Sequence, residues 1–251
     1  QDWRSVMRLW AMVCTGAMVI WFAISSLAGY RVPGFYQEMA SEQEAAPAYL
    51  SVVRNILSNG AVWLLLVMAV GAFLINHGLN NWLPELIRST GRPLAEASMW
   101  SALPMVVGIF GSLIIPRLAT PARRFKILIG LCASAAAACL TLLLTGDGVL
   151  IVSLILQGFV RASLMTVLIL TLMELPSVPV RHAGTASGLF FSAAEVGGVL
   201  GPLGLGLMFD LTGGFAAGLY GLASVATLMA LGAAWLSRLA KAATPIQSSS
   251  S

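Results

Sequence analysis

Seven apolar runs, each long enough to cross a hydrocarbon layer about 30 Å thick, leave this chain little choice of fold. They lie at roughly 9–28, 61–83, 98–118, 126–145, 149–173, 184–209 and 215–237. In lipid a backbone must satisfy its own hydrogen bonds, and an isolated run does so only as an α-helix. The expected fold class is therefore an all-α membrane protein with seven transmembrane helices. Composition agrees: 58% of the 251 residues are hydrophobic and only 10% charged, against about 25% charged in a soluble domain.

The runs are unevenly spaced. A polar stretch over 29–60, with Pro33, Pro47, Glu38, Glu42 and Glu44, is the only long loop, and the last six runs follow in quick succession. Four segments result: 1–28, one helix; 29–60, a central loop; 61–238, six helices; and 239–251, a tail ending TPIQSSSS and expected to be disordered. Trp63 and Trp82 bracket the second run, as interfacial aromatics do. Loop charge sets the orientation. One side holds Arg31, Arg54, Arg117, Arg123, Arg124, Lys126, Arg181, Arg238 and Lys241; the other holds Arg4, Arg8, Arg88 and Arg92. The positive-inside rule then puts the central loop and the tail in the cytoplasm.

The net charge of +4 is spread over these loops, so it gives no sign of a nucleic-acid partner. Cys14, Cys132 and Cys139 lie inside apolar runs without metal-ligand spacing and read as small apolar fillers. No charged leader and cleavage site precede the first run, so no signal peptide is expected. An N-terminus outside suits a chain that continues an earlier helix.

The 184–214 stretch, GTASGLFFSAAEVGGVLGPLGLGLMFDLTGG, is rich in small residues. At 100° per residue Gly184, Gly188, Glu195, Pro202 and Gly206 fall on one line. Such a stripe predicts close approach of a neighbouring helix, with Glu195 at the contact. A kink at Pro202 is tolerable where neighbours cover the freed carbonyl.

One helix, a long cytoplasmic loop and six tightly connected helices resemble the back part of a major facilitator superfamily transporter, its sixth to twelfth helices. The 184–214 stretch resembles the family's eleventh helix. IIPRLATPARRFKIL sits where the family repeats its basic loop motif, and DWRSVMRLW resembles the entry to the sixth helix. HGLNNWLPELIRSTGRPLAEAS, residues 77–98, looks like the cyanate permease and nitroimidazole transporter branch. Pro116 stands where the loop motif has an aspartate before its arginine, here Arg117, so no charge-relay gate is carried over. GGVLGPLGLG resembles an antiporter motif of the fifth helix, but close packing and a kink explain it here.

The resemblance implies secondary active transport of a small solute by alternating access in the plasma membrane, here a bacterial cytoplasmic membrane. This chain would supply the C-terminal half, with an N-terminal half and the lipid bilayer as partners. The contrasting reading is a non-transporting sensor or assembly protein on half a transporter fold. No HExxH, Walker loop, GxSxG or Cys/His cluster is present, so neither an enzyme nor a cofactor is expected.

Charged and polar residues inside the spans carry the remaining expectations. Arg161 lies mid-span, where an unpartnered guanidinium costs about 2.5–3.5 kcal/mol even on the mildest scale. Ser153, Gln157 and Arg161, four apart, form one polar stripe on a helix that the resemblance makes cavity-lining. Asn76, His77, Asn80 and Asn81 occupy an arc of about 140° on the second run. Arg161 is expected to hold an anionic group, a small anion or weak acid, with Gln157, Asn76, His77, Asn80 and Asn81 around it. Glu195, at similar depth, is expected to couple transport to a proton or to brace Arg161 as an ion pair.

Overall fold

The computed structural model describes residues 3–26 and 49–242. Most of the expected central loop and the serine-rich tail lie outside the described residues. The first unit contributes one helix, α1 (Trp3–Ser26), apolar along most of its length. The second begins with a short helix, α2 (Tyr49–Leu57), and continues with six long ones. These are α3 (Gly60–Arg88), α4 (Leu94–Leu118), α5 (Arg124–Thr141), α6 (Asp147–Met173), α7 (Ala183–Thr212) and α8 (Ala216–Ala242). Among the described residues, seven helices are long and apolar enough to cross a membrane. They coincide with the seven runs.

Several helix ends extend beyond the apolar runs because polar residues do not break a helix, while α5 stops at Thr141, four residues inside its run. Asn59 starts α3 by accepting a hydrogen bond from the Ala61 amide at 2.8 Å, as an N-cap does. Gly213 stops α7 in the left-handed region at φ +71, donating its amide to the Phe209 carbonyl; only glycine takes that backbone without cost. α2 was not expected. Within the polar stretch, Val52 and Ile56 lie one turn apart, and this face is buried where α2 packs on α3 and α7.

The six long helices pack chiefly as α3 with α7, α4 with α6, and α5 with α8, with α5 also against α6. Three ion pairs mark the two ends of the bundle. Arg124 at the start of α5 meets Glu174 just after α6. Arg92, before α4, meets both Glu96 and Asp147, the latter at the start of α6. The hydrogen bond to Glu96 foremost, with Asp147 adding to it, holds the Arg92 guanidinium above its ordinary pKa. Successive helices therefore alternate in direction, and the loops at 119–123 and 174–182 share one end.

Close approach is concentrated on α7, but of the expected stripe only the Pro202 and Gly206 end takes part, against Trp82. A Cβ on Gly197 would overlap the Val70 carbonyl, and one on Gly201 the Leu74 carbonyl. The buried face of α7 is Ala186, Phe190, Ala194, Gly197, Gly201 and Leu205, about 130° round the helix from Glu195 at 100° per residue. A Cβ at Gly184 or Gly188 would meet nothing within 4 Å. Glycine composition signalled an intimate contact; the face was decided by which small residues align with the α3 backbone. Cys132 and Cys139 are buried free thiols in α5, packed as apolar side chains.

Trp82 also departs from expectation. Its Nε1 donates to the Pro202 carbonyl at 2.9 Å, and its ring lies against Phe209 and Phe215. It locks α3 to α7 at the proline rather than standing at a lipid interface. Trp63 is the exposed one, its Nε1 bonded to the Leu57 carbonyl.

Candidate functional site

The polar residues of α3 form two groups, one toward α6 and one toward α7. Arg161, midway along α6, donates from Nη1 to Asn80 Oδ1 on α3 at 2.7 Å. Among the described residues Arg161 makes no ion pair; the four present join other side chains. Its partner is neutral, so its charge is not cancelled. The brace to Glu195 weighed from sequence is absent.

Beneath the guanidinium lies a cavity of about 20 Å³ between α3 and α6, room for one water. Asn76, Gln157 and Arg161 supply its polar wall, and Ile75, Leu79 and Leu164 part of its apolar wall. Gln157 is 5% exposed, and its Oε1 is buried without a hydrogen-bond partner. A buried amide oxygen left so costs about 1–3 kcal/mol. That cost is relieved when a donor enters.

Ser153 does not join this group. Its Oγ bonds to Thr141 Oγ1 and to the Val149 carbonyl, facing α5. Eight residues of α-helix turn its side chain about 80° from that of Arg161.

The second cluster sits between α3 and α7. The His77 ring packs on Phe73, centroids 4.9 Å apart. Glu195 is exposed near the middle of α7. Its Oε2 and His77 Nδ1 lie 3.1 and 3.6 Å from the point a Cβ on Gly198 would occupy. Pro202 cannot supply the amide that would reach the Gly198 carbonyl, which adds an acceptor beside this acid. Asn81 is exposed and spends its Nδ2 on the His77 carbonyl at 2.8 Å.

The structure thus brings Arg161, Asn80, Asn76 and Gln157 together on the α6 side of α3, and His77, Asn81 and Glu195 toward α7. Gly198, Phe73 and the apolar wall of the cavity were not foreseen. Nothing distinguishes Leu79 or Leu164 from ordinary core in the sequence. Gly198, inside a Gly-Gly pair near the acid, carried a usable signal.

The family model described as Major Facilitator Superfamily matches residues 1–202. A quinolone resistance transporter from Acinetobacter baumannii is 33% identical over 192 residues, spanning 68% of this chain and 40% of that protein. The chain therefore covers about two fifths of this relative's length. These matches reach the superfamily and not the cyanate permease and nitroimidazole branch. Seven apolar helices and the family match agree: the chain is a multi-pass protein of the plasma membrane and belongs to the Major Facilitator Superfamily.

Proposed function

We propose that this chain supplies the C-terminal half of a secondary transporter that carries a small anion or weak acid by alternating access. Residues 61–238 would form the half that rocks against an N-terminal partner, with the solute between them near the midplane. The loops at 117–126 and 175–183 would face the cytoplasm. Membership of a transporter family points to movement of a solute rather than to its chemical conversion.

The observation that carries this reading is the uncancelled charge of Arg161, held by Asn80 at mid-span. A guanidinium offers planar, paired donors that suit a carboxylate, and the neutral Asn80 orients it without competing for it. Asn76 and Gln157 would read the atoms beyond the anionic group, and His77 and Asn81 would flank it. A quinolone, the class in the relative's name, itself bears a carboxylate and fits the same cation. Glu195 would couple transport to a proton.

Uptake into proteoliposomes containing the intact protein tests the proposal. Arg161→Lys keeps the charge but loses the planar fork, so the KM for a carboxylate solute should rise about 10–100-fold, the value of one or two charge-assisted hydrogen bonds. Unchanged KM and rate in Arg161→Gln would remove Arg161 from the site.

A further inference from the structure

Two opposite charges flank the polar residues of α3, and neither neutralises the other. Arg161 reaches α3 at Asn80, while Glu195 Oε2 and His77 Nδ1 each lie close to Gly198. α3 packs against both α6 and α7, so its polar ridge lies between the cation and the acid. Both charges are near the middle of their helices, where lipid would penalise them heavily. Were their purpose to offset each other, an ion pair would be the cheapest arrangement, and none forms among the described residues.

We infer that the site takes a zwitterion: its carboxylate on Arg161 and Asn80, its cationic nitrogen on Glu195 and the Gly198 carbonyl, its middle across the α3 ridge at His77. The inference rests on the proposed role of Arg161 and deepens it, naming the second group that the solute must carry. The acceptors on the α7 side are of the kind an ammonium needs. A carboxylate supplies the charge, and a carbonyl deprived of its helical donor by Pro202 supplies a second oxygen. His77 and Asn80 are three residues apart, about 4.5 Å along the helix axis, and the helix itself is about 10 Å wide. The two charged groups of the solute are thus on the order of 5–10 Å apart.

Matched probes test this without knowledge of the natural solute. ω-Amino carboxylates from β-alanine to 6-aminohexanoate are compared with propionate to hexanoate, binding to the intact protein in lipid nanodiscs. At the best length the amino compound should bind at least tenfold tighter than the acid of the same length. Glu195→Gln should abolish that preference by weakening the amino series alone, with the plain acids binding as tightly or tighter once the nearby negative charge is gone, and Arg161→Gln should weaken both series. Where Glu195→Gln fails to fold, Glu195→Asp decides: its shorter arm should move the preferred length up by one carbon. Equal or weaker binding of the amino series at every length would overturn the inference. So would a Glu195→Gln effect shared by both series, or an Asp variant with unchanged length preference. If Arg161→Gln alters neither series, the proposed role of Arg161 falls as well. If it weakens both while Glu195→Gln treats them alike, only the zwitterion is refuted.

Discussion

Asn80 is the residue on which the electrostatics of Arg161 turn. As an amide it accepts a hydrogen bond from the guanidinium and leaves the charge available. Asn80→Asp would convert the contact into an ion pair and cancel that charge. Anion affinity should then fall at least tenfold while folded yield holds or rises, read by uptake kinetics beside size-exclusion yield. Undiminished affinity in Asn80→Asp would show that the Arg161 charge is not what binds. Gln157 gives a second contrast. Its buried Oε1 has no partner, so Gln157→Met, of similar volume, should be neutral or slightly stabilising to the fold. Uptake should drop nonetheless. A loss of thermal stability of several degrees would mean that the amide is satisfied within the bundle. Arg161 and Asn80 were legible in sequence because polarity in mid-span is costly and must be accounted for. That Arg161 would face Asn80 and not Glu195 was not legible, since helical spacing ranks neighbours on one helix and says nothing of which helix lies opposite.

The glycines of α7 separate composition from contact. Gly197 and Gly201 abut the carbonyls of Val70 and Leu74, and these backbone atoms have no rotamer to yield. Gly201→Ala should cost about 1–3 kcal/mol, as overpacking does, and lower the melting temperature. Gly184→Ala and Gly188→Ala meet open space and should be neutral or stabilising by up to about 1 kcal/mol from helix propensity. Thermal melts of the purified variants check the order; equal effects at Gly188 and Gly201 would contradict the observed α3–α7 interface. The seven long helices were legible because twenty apolar residues in lipid have one solution. α2 was not, because nine residues give too short a pattern to stand out from a polar loop. The stripe through Glu195 meets α3 only at Pro202 and Gly206 for a related reason: a wheel shows which residues align, while the partner helix selects the face.

Across the molecule, charge and connectivity point the same way. Arg124–Glu174 and Arg92–Asp147 tie loops at opposite ends of the bundle, and Arg117, Arg123, Arg124 and Arg181 gather at the first of these. A cysteine introduced at Ala122 should therefore resist an impermeant reagent applied outside intact cells, and one at Thr90 should react. Reversed labelling would invert the orientation. If a solute binds to Arg161 between this chain and an N-terminal half, transport needs both. The decisive measurement expresses residues 1–251 alone and together with such a half from the same protein, and reads saturable uptake of a carboxylate solute. The chain alone should insert and show no uptake; the two together should restore it, and Arg161→Gln in this chain should abolish it. Saturable uptake by the chain alone, or restored uptake that survives Arg161→Gln, would rule out a solute site completed by a second half at Arg161.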